Sequence, residues 1–399
     1  MRKMFLIFVL LLSTCASAAT TFTAVQNGTW VTAATWDKNS SYPQAGDTAI
    51  MANGVTVTLG ANAACAVLTC VSGGVLAMVS YTLTTTGNIT LAGAGCITAT
   101  TGILSCTGTQ TLTSNGITFP GKLYCTAGTP VLTLVGNWVN TGVVYTAVTT
   151  VINLTTAETM TCNGGIAIYG TTSGTATLVI GGTGGAWSSD HILNNNLTIN
   201  CTTCSFSTNV LYGTGTLTYT AGTVTQNSHY LSLNSNPTLA TAGLTWYGVT
   251  LQITLVTVTL TQALNCTILY IGNVANLTGG SATFTGAFDI TCATLDFPVN
   301  SATTAITLTL VAGQTLNITS AVVAVSPALA GGTLTIKGAA SYAYINYTGT
   351  PANCNLAGVI FTDVQATGKP LYNFNGGTLT RSSGIVNFTA ANCFNICVP

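Results

Sequence analysis

Residues 54–59 read Gly54-Val-Thr-Val-Thr-Leu59, and residues 256–260 read Val256-Thr-Val-Thr-Leu260. Apolar residues and Thr alternate with period two. In an extended chain the Val and Leu side chains then share one face and the Thr side chains the other. Both types fit a pleated surface, because their branched carbons pack well there. The pattern returns at Tyr81-Thr-Leu-Thr84, Val131-Leu-Thr-Leu134, Thr216-Leu-Thr-Tyr219, Ile306-Thr-Leu-Thr-Leu310 and Thr333-Leu-Thr-Ile336. Gly, Asn and Ser, the residues of tight turns, bound these runs. After residue 18 no 11-residue stretch sustains helical spacing. The sequence predicts an all-β chain: a single elongated parallel β-helix, or β-solenoid, over 50–390. An N-terminal cap region precedes it over 19–49, and a Cys-containing tail follows over 391–399. Coils of about 20–25 residues are expected for such repeats. Three Ig-like sandwiches form the main rival. They need Trp and Cys at matching places in each domain, and Trp30, Trp36, Trp138, Trp187 and Trp246 do not repeat in that way. Three strings resemble one another, Asn115–Gly121, Ala242–Gly248 and Asn355–Phe361, and are expected to be corresponding strands of successive blocks.

Composition narrows the function classes. Of 399 residues only 4% are charged while 48% are hydrophobic. Nucleic-acid binding through a basic surface is excluded, since counterion release needs clustered Lys and Arg. A charge-driven disordered tail is excluded by the apolar content. Residues 1–18 read as an export signal: Arg2 and Lys3, then the apolar run Met4 to Leu12, then the small-residue site Ala16-Ser17-Ala18. Nine apolar residues are too few to span a bilayer core of about 30 Å. The expected location is therefore extracellular or at the cell surface.

Export makes the cysteines candidate disulfides. Of 14, 13 follow the signal. Cys201 with Cys204 and Cys393 with Cys397 are spaced for local bridges, and stacked coils offer Cys65 with Cys96 or Cys96 with Cys125 as alternatives. No metal site is expected, because His191 and His229, the sole histidines, are not at zinc-finger spacing. Asn-x-Ser/Thr sequons are numerous, Asn27, Asn88, Asn196, Asn317 and Asn346 among them. The abundance of Thr makes chance the simplest reading of them.

Residues 27–59 carry Asn27-Gly-Thr-Trp30, Thr35-Trp36-Asp37, Pro43, Gly46-Asp47 and then the Gly-bounded Val-Thr-Val strand. This resembles the opening of secreted bacterial right-handed parallel β-helix proteins of surface and adhesin type, and of glycine-rich extracellular β-domains. The resemblance implies a β-helix whose first coil is closed by the Trp pair. The residues support the same roles physically. Trp30 and Trp36 have the bulk to cover an open solenoid end, and Asp47 can accept backbone N–H bonds in a turn.

Chemistry is sparse along the chain. Asp37, Asp47, Glu158, Asp190, Asp289, Asp296 and Asp363 are its full set of carboxylates, and no two lie within five residues. Trp187-Ser-Ser-Asp190-His191 is the best local constellation, an acid–base pair beside an aromatic platform. Adjacent strand residues point to opposite faces, however, which favours a polar loop. No nucleophile elbow, phosphate loop or zinc-protease motif occurs, and no cofactor is expected. The expected function is non-enzymatic, structural or adhesive, through self-association or attachment to a glycan or cell surface. A carbohydrate-active β-helix enzyme is the alternative. Ice binding is a second alternative and needs Thr-x-Thr runs in register on successive coils. The uneven spacing of the runs along the chain argues against that register.

Overall fold

The computed structural model describes residues 19–388 apart from 126–130, 148–150, 155–158, 169–170, 175–176, 190–192, 252–254, 272–279, 298–304, 325–332, 351–353, 358, 370, 375–378, 381 and 384. Within those residues the chain is a parallel β-solenoid, with no α-helix and one 3-10 turn at Ala33–Thr35. Each coil makes three strands, and each strand hydrogen-bonds in parallel to its counterpart one coil on. Thr48–Met51, Val67–Cys70, Ile89–Leu91 and Gln110–Ser114 stack on the first face. Thr56–Thr58, Val75–Ala77 and Ile97–Thr98 stack on the second. Thr82–Thr85, Ile103–Cys106 and Lys122–Cys125 stack on the third. All three faces continue through the C-terminal half, where Thr245–Leu251, Leu264–Ile271 and Ile290–Asp296 each run through the third and first faces.

The alternation works as the sequence predicts. On the second face the inward positions form one continuous column: Ile117, Trp138, Met160, Leu178, Leu197, Leu217, Leu239 and Leu260. All are buried. Thr recurs at outward positions of the same face, beside Val139, Val179, Asn196 and Ala240. Thr159 lies beside Thr177, Thr216 beside Thr238, Thr238 beside Thr259, and Thr259 beside Thr285. Two positions along the strand, Thr257 lies beside Thr283 and Thr283 beside Thr309. The Thr-x-Thr runs themselves do not share one register: those at Thr56, Thr82 and Thr111 fall on the second, third and first faces, as their uneven spacing predicts, while Thr257-Val-Thr259 and Thr283-Phe-Thr285 match at both Thr positions. Coil length varies while register does not: partners lie 18 positions apart at Phe361 with Leu379 and 29 at Gly28 with Val57. The corners absorb the difference.

The cap is continuous with the solenoid. Thr21–Ala24 pairs in parallel with Thr48–Met51, so the first coil starts well before residue 50. The three similar strings do not occupy corresponding places. Ile117–Phe119 and Ile360–Thr362 lie on the second face, whereas Thr245–Leu251 runs through the third and first. Gly116 and Gly243 share positive φ, 73° and 89°, so the likeness is that of a turn.

Adjacent coils are also tied by side chains at strand starts. Asn27 Oδ1 accepts the Thr56 N–H at 2.7 Å, Asn88 that of Thr111 at 3.0 Å, Asn137 that of Thr159 at 2.9 Å, and Asn196 that of Thr216 at 3.0 Å. Each bond leaves the backbone donor of the next coil paired before its strand begins. Replacing Asn88 with Ala is expected to cost about 0.5–1.5 kcal/mol, the net worth of one such bond. Urea unfolding of the variant measures it, and an unchanged midpoint rejects the clamp.

The cysteines are core residues. Cys65, Cys70, Cys96, Cys106, Cys125, Cys162, Cys201, Cys204, Cys266, Cys292 and Cys354 are buried thiols outside any disulfide. The bridges expected at Cys201 with Cys204, Cys65 with Cys96 and Cys96 with Cys125 are therefore not formed. Cys393 and Cys397 lie outside the described residues. The ladder explains the thiols. Cys106 faces Cys125 and Cys266 faces Cys292 as in-register partners. Such partners sit about 4.8 Å apart with parallel Cα–Cβ bonds, whereas a disulfide needs Cβ atoms about 3.8 Å apart. Cys201 and Cys204 share the strand Asn196–Phe206, where the register shifts between Asn200 and Thr203, and their thiols hydrogen-bond. Burial pushes the Cys65 and Cys292 thiols up to about 12, with the Asp47 charge adding to Cys65. These thiols stay protonated and unreactive at neutral pH. Dithiothreitol is expected to leave the melting temperature unchanged, and iodoacetamide at pH 8 to leave these eleven thiols unlabelled in the folded chain. A downward shift on reduction would restore the disulfide reading.

Candidate functional site

Trp30 and Trp36 lie buried beneath the first coil, their rings 5.2 Å apart at 76°. Trp36 donates its indole N–H to the Trp30 carbonyl at 2.8 Å, and Trp30 donates to the Pro43 carbonyl at 3.2 Å. Phe22 packs edge-on to Trp36 at 6.3 Å. Asp47 accepts the N–H groups of Thr20 and Gln44, each at 2.9 Å, which pins the turn below the first face. Neither Trp offers a ring to a ligand. An open cleft of about 400 Å³ lies beside them, between residues 42–45 and 62–64.

Asp190 and His191 lie outside the described residues. Trp187, the aromatic member of that constellation, is buried at 1% exposure, its ring 4.9 Å from Phe206 and nearly perpendicular to it. It is a core residue and no sugar platform. Among the described residues no three of His, Cys, Asp and Glu gather as a metal would require.

What the register assembles instead is an aromatic and acidic patch on the first face of the C-terminal half. Tyr230 opens the strand Tyr230–Leu233 and pairs with Gly248 of the next coil. Tyr270 of the following coil pairs in turn with Asp296. The Tyr230 and Tyr270 rings are 5.2 Å apart at 86°, with their hydroxyls 3.4 Å apart. Tyr247 lies 5.6 Å from Tyr230, held by its N–H to the Gln226 side-chain oxygen. All three rings are partly exposed. Burial, the Tyr230 hydroxyl and the Asp296 charge together push the Tyr270 phenol up. Burial also pushes the Asp296 carboxyl up.

No one of these residues stands out in the sequence, because 17 to 66 positions separate Tyr230 from the others. A second outward pair, Tyr124 with Tyr145, stacks on the third face at 5.2 Å. The chain matches no family model, no curated protein and no solved structure.

Proposed function

We propose that the chain is an exported, non-enzymatic structural or adhesive protein that works by self-association or by attachment to a glycan or cell surface. The observation that carries this reading is the outer surface. On the second face the coils place Thr159, Thr177, Thr216, Thr238, Thr259 and Thr285 in one outward column broken by Asn196, on a nearly uncharged surface that a second copy or a polymer can match. Low charge leaves little long-range repulsion between copies, and strand edges at the ends of the stack can pair with another chain where uncapped. Purified protein lacking residues 1–18 is expected to form lateral or end-to-end assemblies in negative-stain micrographs, or to sediment with cells or cell walls. A strictly monomeric protein that attaches to nothing, and degrades a polysaccharide only while Asp190 and His191 are intact, would instead make it an enzyme.

The outward Thr column of the second face, through Thr216, Thr238, Thr259 and Thr285, favours a second reading, ice binding. Hydroxyl and methyl groups then repeat about every 4.8 Å between coils, and about 6.6 Å along the strand where Thr257-Val-Thr259 meets Thr283-Phe-Thr285, a template for ordered water. Thermal hysteresis, and inhibition of ice recrystallisation lost on Thr238→Lys, would support it. Ordinary freezing behaviour rejects it.

A further inference from the structure

We propose that Tyr230, Tyr247, Tyr270 and Asp296 form a docking site for a neutral glycan. The inference rests on the attachment reading above and gives it a ligand class. The geometry begins with Gly248. A Cβ placed there would lie 2.1 Å from Cδ1 of Tyr230. The Tyr230 ring therefore lies across the neighbouring coil where that coil has no side chain. Tyr270 stands at 86° to it, and the two make a corner lined by aromatic carbon with two hydroxyls at its apex. A pyranose has the complementary shape: an apolar C–H face that stacks on an aromatic ring and a rim of hydroxyls that phenols and a carboxylate can bind.

Asp296 supplies the carboxylate, one coil beyond Tyr270. The other described carboxylates serve the fold. Asp37 takes the Thr23 N–H and pairs with Lys38. Asp47 takes those of Thr20 and Gln44, Asp289 takes that of Thr315, and Asp363 is buried at 5% exposure. Asp296 is half-buried beside the aromatic corner, where an ionised oxygen binds sugar hydroxyls more strongly than a neutral one. The charge also selects the ligand. Among the described residues the cations are Lys38, Lys122, Lys337 and Lys369, and none is on a first-face strand. A uronate, sialate or sulfated sugar would meet Asp296 with no cation on these strands to offset the repulsion.

The test applies the protein without residues 1–18 to an array of immobilised oligosaccharides, neutral hexose and N-acetylhexosamine polymers beside uronate-containing, sialylated and sulfated ones. Wild type is expected to bind a subset of the neutral glycans. Tyr270→Ala and Asp296→Ala are each expected to weaken that binding by at least about tenfold. Tyr124→Ala, on the third face, leaves it unchanged. Because Tyr270→Ala removes packing as well, Tyr270→Phe and Asp296→Asn keep the shape and are expected to weaken binding with thermal melts close to wild type. Equal binding by wild type and by the Tyr270 and Asp296 variants overturns the site. So does binding confined to acidic glycans, or an array that wild type leaves blank. A blank array from protein that still assembles or coats cells removes this site alone. A blank array from protein that does neither removes the attachment reading with it.

Discussion

Trp36→Ala is expected to destabilise the chain by about 3–5 kcal/mol, the usual cost of truncating a buried Trp, and to make it aggregate. Trp36 is fully buried, contacts Phe22 and Trp30, and donates to the Trp30 carbonyl. Removing its ring uncovers the inward side of the first coil, where Phe22 and Ala49 begin a core column. It also loosens the strand Thr21–Ala24, which pairs with Thr48–Met51 on one side. A freed strand edge of this kind recruits other chains. Thermal melting followed together with light scattering reads both effects. Trp36→Phe keeps most of the ring and loses one buried hydrogen bond, so its cost is expected to be smaller. If Trp36→Ala melts as wild type does and stays clear, the pair is no cap.

Phe206→Ala is expected to have a comparable cost, about 3–5 kcal/mol, with a different outcome. Phe206 sits mid-chain on the third face, its ring edge-on to Trp187 at 4.9 Å and stacked on Trp246 at 5.9 Å. Stability in a stacked repeat is close to a sum of nearest-neighbour terms. A cavity at Phe206 weakens the junction between coils on either side and leaves the remote coils intact. Calorimetry is expected to resolve two transitions where wild type shows one broader cooperative event. A single transition shifted as a whole would show that the coils melt as one unit.

The strands were legible because alternation is a local property. Val256-Thr-Val-Thr-Leu260 declares its inward and outward faces without reference to any other residue, and those faces are the observed ones. The Trp30 and Trp36 burial was legible for a similar reason: two large rings six positions apart in a turn-rich segment have few other places to go. Register was not legible. It depends on how much chain each corner takes up, and a coil of 18 residues aligns as well as one of 29. Everything that depends on register was hidden with it. Thr216, Thr238 and Thr259 look unrelated along the chain and share one outward column in space. Cys125 looked like a bridging partner for Cys96, yet the register sets it beside Cys106, and in-register strands hold the two sulfurs in a geometry suited to thiols. Tyr230, Tyr270 and Asp296 looked like scattered residues because two coils of chain separate the first from the second.

Three asparagines that clamp one coil to the next, Asn27, Asn88 and Asn196, each begin an Asn-x-Thr triplet. A fourth link joins two more of them, where the Asn346 amide donates to the Asn317 oxygen at 3.0 Å. At Asn88 and Asn196 the triplet follows from the coil: an amide at the strand's start, an apolar side chain turned inward at Ile89 and Leu197, a Thr turned outward. In a chain that passes through a glycosylating compartment the same three letters address a sugar-transferring enzyme. At Asn88 and Asn196 they spell a strand start. A glycan added to Asn346 nitrogen would enter the space between neighbouring coils, so a host that reads the triplet as an address competes with folding for the same amide. A host without that enzyme leaves these amides to the contacts between coils.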